Sequence, residues 1–215
     1  MYALIPCCFL LAGGFLLCQR RNRPRLTLLL KGLASLCFVA LGFLCGGFGL
    51  ITAGLLLGCA ADVLLGLRKL FPSRRTLFFL AGGVVFLCGH VLYLAAVRPR
   101  VHSPVLCVLL ALLAGTALIN WLFARIEAGK ALKRFGCVYF GVFALLNTAV
   151  ILNAFTDPGG FTALFAGGTL LFISSDVILN LYSFGRERLG YPWRVAYSLL
   201  YYAGQLLIAL SLRFA

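Results

Sequence analysis

Residues 47–67 read GFGLITAGLLLGCAADVLLGL, an apolar run in which Asp62 is the only charged residue. A helix needs about 20 mostly apolar residues to cross a bilayer, so this stretch predicts a membrane-spanning helix. A second stretch, residues 161–182, reads FTALFAGGTLLFISSDVILNLY and also carries one charged residue, Asp176. A charge at membrane depth costs about 2.5 kcal/mol or more, so both aspartates are candidates for function.

The rest of the chain has the same character, because 63% of its residues are hydrophobic and 11% are charged. This composition excludes a soluble domain. We predict an all-α, polytopic membrane protein with eight transmembrane helices, and a single integral membrane domain over residues 1–215. The predicted spans are 2–18, 26–44, 47–67, 77–97, 105–123, 135–155, 161–182 and 195–212.

The basic residues predict the orientation. The chain has 19 lysines and arginines against five acids, and 15 of the 19 follow predicted helices 1, 3, 5 and 7, on one side of the membrane. By the positive-inside rule that side is cytoplasmic and both termini lie outside. The excess therefore predicts the lipid bilayer as partner and no nucleic acid. The compact connections favour the cell membrane of a bacterium.

The sequence contains no motif that indicates a metal or a cofactor. The nine cysteines include no C-x-x-C pair, and the chain has only two histidines. There is no H-E-x-x-H zinc motif and no G-x-S-x-G nucleophile motif. We predict no metal and no cofactor, which leaves acid–base chemistry or proton-linked transport.

The two halves of the chain resemble each other. The stretch ADVLLGL at 61–67 returns as SDVILNL at 175–181, and the Gly-His pair at 89–90 aligns with Gly-Gln at 204–205. The offsets are 114 and 115 residues, so each half has four predicted helices in the same orientation. We predict parallel repeats, 1–100 and 101–215, with a site between them. A chance alignment of leucine-rich helices is the alternative.

Lys31 and His90 are the other candidate groups within the predicted helices. Lys31 can neutralise one of the two aspartates, so a purely structural ion pair is the alternative reading of that aspartate. His90 is a candidate for catalysis, and Tyr93 shares its helix face. A histidine that is only hydrogen-bonded inside the bundle is the alternative.

The last helix also carries a polar face. Tyr201, Tyr202 and Gln205 cluster at three- and four-residue spacing. Tyrosines alone would indicate packing or the membrane interface. With the glutamine beside them, we predict that the three residues line a substrate-binding site.

An ordered set of short motifs runs through these helices. Lys31, ADVLL at 61–65 and FLCGHVLY at 86–93 are followed by LFISSD at 171–176 and YYAGQLLI at 201–208. The set resembles the YhhN family of eight-helix membrane proteins, which includes the animal lysoplasmalogenases. The resemblance extends from the second helix to the eighth.

The resemblance implies a hydrolase that cleaves the vinyl-ether bond of a lysoplasmalogen. The products are a fatty aldehyde and glycerophosphoethanolamine or glycerophosphocholine, and the partner is a lysophospholipid substrate. We expect Asp62 and Asp176 to act as an acid–base pair, with either one as the acid. Lys31 is expected to hold one aspartate ionised or to bind the lipid phosphate, and His90 to relay protons or orient water. Tyr93 joins the pocket-lining residues.

Two positions depart from the family pattern. The family usually has proline after the lysine and glycine before the first aspartate, where this chain has Gly32 and Ala61. Both changes spare the polar groups. A proton-coupled transporter or a lipid-binding membrane protein without hydrolase activity is the alternative function, and a purely structural membrane protein is a third. The sequence does not define the oligomeric state.

Overall fold

A computed structural model describes all 215 residues, and every main element is an α-helix. The helices are α1 Leu4–Arg20, α2 Pro24–Gly46, α3 Leu50–Leu67, α4 Arg75–Val97, α5 Pro104–Phe123, α6 Lys130–Thr156, α7 Gly160–Phe184 and α8 Tyr191–Ser211. Short 3₁₀ turns lie before α4, after α4 and after α8.

Seven of the eight helices are long and apolar enough to cross a membrane, and α1, with 17 residues, is shorter. Proline at the start of α2 and α5 suits the first helical turn, where the backbone N–H has no partner within the helix. The chain is therefore a multi-pass, all-helical membrane protein. The predicted helix class is confirmed, while a complete crossing by α1 stays a prediction.

Several helices extend beyond the predicted spans at their charged ends. Helix α6 begins at Lys130 rather than residue 135, and α8 begins at Tyr191 rather than residue 195. The apolar pattern marks the segment that lies in lipid, whereas lysine and arginine are good helix formers that continue the helix toward water. Arg194 consequently lies within the first turn of α8 and not in a loop.

Six helices form a closed ring. Going round it, α2 packs on α3, α3 on α4, α4 on α6, α6 on α7, α7 on α8, and α8 returns to α2. Helix α1 covers α2 and α8 from outside, and α5 packs on α6. The end of the ring where α3 finishes and α8 begins carries most of the arginines and lysines, and we call it the basic end.

Equivalent glycines bring the last two helices of each half together. A Cβ at Gly89 would lie 3.3 Å from the carbonyl oxygen of Gly54, and one at Gly204 would lie 2.7 Å from that of Gly168. Small residues let helices approach closely in lipid. The two glycine pairs differ by 114 and 115 positions, the same offsets as the polar residues. The two-repeat organisation stays a prediction, and these contacts agree with it.

An aromatic core fills the ring beyond its basic end. Tyr93, Phe38, Phe143, Phe165 and Phe172 are each less than 2% exposed. The rings of Phe143 and Phe172 meet edge to face with their centroids 5.2 Å apart. All five rings belong to one continuous hydrophobic core.

Candidate functional site

One cavity at the basic end holds both aspartates, and we call it the aspartate cavity. It lies between α1, α2, α3, α4, α7 and α8, is narrow, and has a volume of about 700 Å³ when its open mouth is included. Its polar lining consists of Gln19, Thr27, Lys31, Asp62, Arg68, Lys69, Ser175, Asp176, Arg194, Tyr197, Ser198, Tyr201 and Tyr202. Five of the eight predicted site residues therefore share one space.

Asp62, on α3, is held by two side chains of α2. Lys31 Nζ lies 2.8 Å from Asp62 Oδ1, and Ser35 Oγ donates to Asp62 Oδ2 at 2.6 Å. The Lys31 Nζ atom also lies 3.4 Å from the Asp62 carbonyl oxygen. Asp62 is only 2% exposed, so its negative charge is balanced within the protein by the lysine. The predicted ion pair exists, and its partner is Asp62.

Asp176, on α7, has a different partner. The hydroxyl of Tyr139, on α6, donates to Asp176 Oδ2. Asp176 is 5% exposed and makes no salt bridge, since the ion pair of the chain is that of Lys31 with Asp62. A buried carboxyl without a cation is less costly in its neutral form. The two aspartates thus share a cavity but differ in the charge beside them.

A hydrogen-bonded chain runs from the floor of the cavity into the core. Tyr201 lines the cavity, and its hydroxyl oxygen accepts a hydrogen bond from Gln205 Nε2 at 3.4 Å. The Tyr93 hydroxyl in turn donates to Gln205 Oε1 at 3.3 Å. Tyr202, which also lines the cavity, donates to the Lys31 carbonyl oxygen at 3.3 Å. Tyr93 and Gln205 therefore support the site from below without lining it.

His90 lies outside the cavity lining, among aromatic rings. It is 1% exposed, and its ring stacks on Phe143 with the centroids 4.0 Å apart. Neither ring nitrogen has a hydrogen-bond partner. A proton relay needs such partners. The structure thus gives His90 no hydrogen-bonded path to either aspartate, although its ring is near that of Tyr139, with centroids 5.3 Å apart.

The sequence reasoning missed two residues that hold the aspartates. Ser35 stands four residues after Lys31 on the same helix face, so the spacing could have indicated it. Tyr139 gave no signal, because a tyrosine in an apolar helix is usually a packing residue and its contact with Asp176 joins positions 37 residues apart. Only the packing of α6 on α7 brings these two side chains together.

Fold and site together define a class: a multi-pass helical membrane protein with two buried carboxyls in one cavity, open at the basic end. The model of the YhhN family matches residues 26–212, which is most of the chain. The protein therefore belongs to the YhhN family. No curated protein and no solved structure is significantly similar to it.

Proposed function

We propose that this protein is a membrane hydrolase that cleaves the vinyl-ether bond of lysoplasmalogens. The observation that carries the proposal is the unequal pair of buried carboxyls in one cavity, Asp62 beside a lysine and Asp176 beside a tyrosine hydroxyl. Vinyl-ether hydrolysis needs one group that gives a proton and one that takes a proton. The family to which the chain belongs supports this choice among acid–base reactions.

The unequal surroundings assign the two roles. Asp176, which has no cation beside it, is the proton donor, and Asp62, whose charge Lys31 balances, is the base. Asp176 protonates the alkenyl carbon that is not bonded to oxygen, and the adjacent carbon becomes an oxocarbenium ion. Water adds to that ion while Asp62 takes the water's proton. The hemiacetal hydroxyl then loses its proton while the glycerol oxygen gains one. The bond between the glycerol oxygen and the shared carbon breaks to give the aldehyde and glycerophosphoethanolamine or glycerophosphocholine. Asp62 releases its proton to solvent, and Asp176 takes one up from solvent.

A second cleft supplies a place for the hydrocarbon chain. This apolar groove lies between α4 and α6, measures about 460 Å³ and shares Asp176 and Phe86 with the aspartate cavity. Phe79, Phe135 and Phe140 form much of its wall. We place the alkenyl chain in this groove, since apolar side chains favour a lipid tail. The scissile bond then lies at Asp176, where groove and cavity meet.

The shape of the aspartate cavity is compatible with a hydrolase. Its lining includes Phe86 and Tyr201, and both rings pack on the buried Phe172, with centroids 5.4 and 5.2 Å from it. A carrier needs access to its site from both sides of the membrane in turn. A cavity that opens at one end suits an enzyme that takes its substrate from one leaflet.

The orientation completes the proposal. The basic end faces the cytoplasm by the positive-inside rule, so the cavity opens toward the inner leaflet of the cell membrane and both termini lie outside. Trp121 and Trp193, which are 43% and 49% exposed near that end, suit an interfacial position. The proposed partners are a lysophospholipid substrate and the bilayer itself.

The test compares three lipids with the same headgroup and chain length. Purified protein in detergent is incubated with the vinyl-ether lysophospholipid, its saturated alkyl-ether analogue and its ester analogue. We expect fatty aldehyde from the vinyl ether alone, because only an alkenyl carbon accepts the proton. Fatty acid from the ester would contradict the reaction type. Folded protein that binds the alkyl ether but releases no aldehyde from the vinyl ether would favour a lipid-binding protein.

A further inference from the structure

A third, wider cleft lies at the mouth of the aspartate cavity. It has a volume of about 1110 Å³ and shares Gln19, Thr27, Arg68, Lys69 and Arg194 with that cavity. Five cationic residues and no acid line it, and we call it the basic vestibule. The five are Arg23, Arg68, Lys69, Arg75 and Arg194.

The positive charge of the vestibule is not balanced within the protein. None of its five cations makes a salt bridge, since the ion pair of the chain is Lys31 with Asp62. Arg194 Nε is buried without a hydrogen-bond partner. The guanidinium groups of Arg68 and Arg194 lie over the rings of Phe79 and Tyr182, at 5.4 and 5.6 Å from the ring centroids. The rings hold the cations in place and leave their N–H groups available to an anion.

The titration of Lys69 agrees with this surplus of charge. Lys69 follows the last turn of α3, outside the membrane-spanning segment. Burial, and then the positive charges of Arg194, Arg68, Lys31 and Arg75, lower the pKa of Lys69 to about 7. Cations that repel each other in this way are relieved by a bound anion.

We propose that the basic vestibule binds the phosphate of the lysophospholipid headgroup, with Arg68, Lys69 and Arg194 as its ligands. Arginine presents a planar fork of N–H donors that matches phosphate oxygens, and lysine adds a point charge. The site rests on the proposed function, because the vestibule leads directly into the cavity that holds Asp62 and Asp176. Lys31 is then not needed as a phosphate ligand, because it forms a salt bridge with Asp62.

This placement gives the substrate a direction through the protein. The phosphate lies in the vestibule at the basic end, the glycerol passes into the aspartate cavity, and the chain leaves by the apolar groove. Asp176 is the polar residue among those shared by cavity and groove, so the vinyl-ether bond, which joins glycerol to chain, reaches it where the two spaces meet. A basic surface at a helix end also suits the depth at which lipid phosphates lie.

The test measures binding without turnover. Three ligands are titrated into the full-length protein in a neutral detergent: an alkyl-ether lysophosphocholine, which contains no vinyl ether, the 1-alkylglycerol with the same chain, and inorganic phosphate. The variants are Arg68→Gln, Lys69→Gln and Arg194→Gln, and the control is Arg134→Gln, an exposed arginine near the same end that does not line the vestibule.

We expect each vestibule variant to weaken lysophosphocholine binding by about tenfold and to leave alkylglycerol binding unchanged, whereas the control should leave the binding of both lipids unchanged. Equal losses for both lipids, or no loss for either, would overturn the phosphate site. Competition by millimolar inorganic phosphate would show that the vestibule accepts a free anion, and its absence would show that the anion must be attached to a lipid. Lys69→Gln changes a side chain that is only partly buried, so it keeps the test open if an arginine variant does not fold.

Binding and hydrolysis fail separately in this design. If the protein binds lysophosphocholine through the vestibule and releases no aldehyde, the phosphate site is supported and the hydrolase proposal is contradicted. If the protein releases aldehyde and all three variants bind lysophosphocholine with undiminished affinity, the hydrolase proposal is supported and the phosphate site is contradicted.

Discussion

The two aspartates occupy matching places in the two halves of the chain, yet their partners differ in kind. In each half the preceding helix supplies the partner: α2 brings Lys31 and Ser35 to Asp62, and α6 brings Tyr139 to Asp176. One carboxyl therefore has a cation beside it, and the other has a neutral hydroxyl. A different partner from the preceding helix is sufficient to give two carboxyls different protonation behaviour.

The difference explains why two similar halves need not do the same work. Were both aspartates paired with lysine, both would be charged and neither could give a proton near neutral pH. Were both beside tyrosine, neither would have its charge balanced. In the proposed mechanism the unequal pair provides both roles in one cavity, in the way that pairs of unlike carboxyls divide acid and base duties in known enzymes.

The sharpest test of the comparison removes each carboxyl in turn. Asp62→Asn and Asp176→Asn should each lower kcat for the vinyl ether by about 10²–10⁴-fold, because each removes one proton-transfer step. The control is Asp157→Asn, which changes an exposed acid between α6 and α7 and should leave kcat unchanged. Turnover at the wild-type rate in either cavity variant, with folded protein, would end the assignment of acid and base.

A second test compares stability at the two sites. Lys31→Met leaves Asp62 buried without its cation, so the free energy of unfolding should fall by about 3–5 kcal/mol. Adding Asp62→Asn removes the unpaired charge and should recover part of that loss. Asp176→Asn keeps an acceptor for Tyr139 and should cost about 1 kcal/mol or less.

These free energies are measured by denaturant unfolding in mixed micelles. Equal losses for Lys31→Met and Asp176→Asn would show that the two carboxyls are charged to the same extent, and the comparison would fail on that result.

The hydroxyl beside Asp176 is tested by Tyr139→Phe. Loss of one hydrogen bond worth about 1.4 kcal/mol should lower kcat about tenfold. KM should stay near the wild-type value, since phenylalanine keeps the ring that lines the groove and position 139 does not line the vestibule. Tyr2→Phe, which removes a hydroxyl that accepts from Arg213 outside the cavity, is the matched control. A rise in KM with unchanged kcat would show that Tyr139 contributes to binding the chain in the groove and not to the proton-transfer step.

The mouth of the cavity should respond to pH through Lys69, whose pKa is lowered to about 7. Arg68, Arg75, Arg194 and Lys31 are the charged groups facing it, and the arginines stay protonated. A bound phosphate favours the charged form of Lys69, so binding is strongest below pH 7 and weakens as the pH rises above it.

Affinity for the alkyl-ether lysophosphocholine should therefore fall about two- to tenfold between pH 6.5 and 8.5, since one proton is linked to binding. The phosphodiester and the quaternary amine of this ligand do not titrate in that range. Lys69→Arg keeps its charge throughout and should flatten the profile. A slope that persists in Lys69→Arg would assign the pH dependence to another group.

The smallest effect is expected at His90. His90→Leu should lower kcat by less than about tenfold, because neither ring nitrogen has a partner through which a proton could move. The variant should mainly alter packing against Phe143. A loss of kcat as large as that of Asp176→Asn would restore the proton relay predicted from the sequence.

The parts of this molecule that could be predicted follow from local rules. Apolar runs gave the helices, and the cost of charge in lipid singled out Asp62, Asp176 and Lys31, which do meet in one cavity. The contact between Tyr139 and Asp176 could not be predicted, since it depends on which helices adjoin in the ring. His90 was singled out by its residue type, and only the packing shows that aromatic rings enclose it.

The pairing of Lys31 with Asp62 also bears on how the chain enters the membrane. Helices α2 and α3 each carry a charge that is costly to insert alone, and they are joined by only three residues. If α2 and α3 enter together as a hairpin, the charges of Lys31 and Asp62 neutralise each other before they reach the lipid interior. Helix α7 carries an acid that can enter as a neutral carboxyl, so it needs no such companion. Biogenesis would then begin with an obligatory hairpin near the N-terminus, and the later helices would assemble upon it.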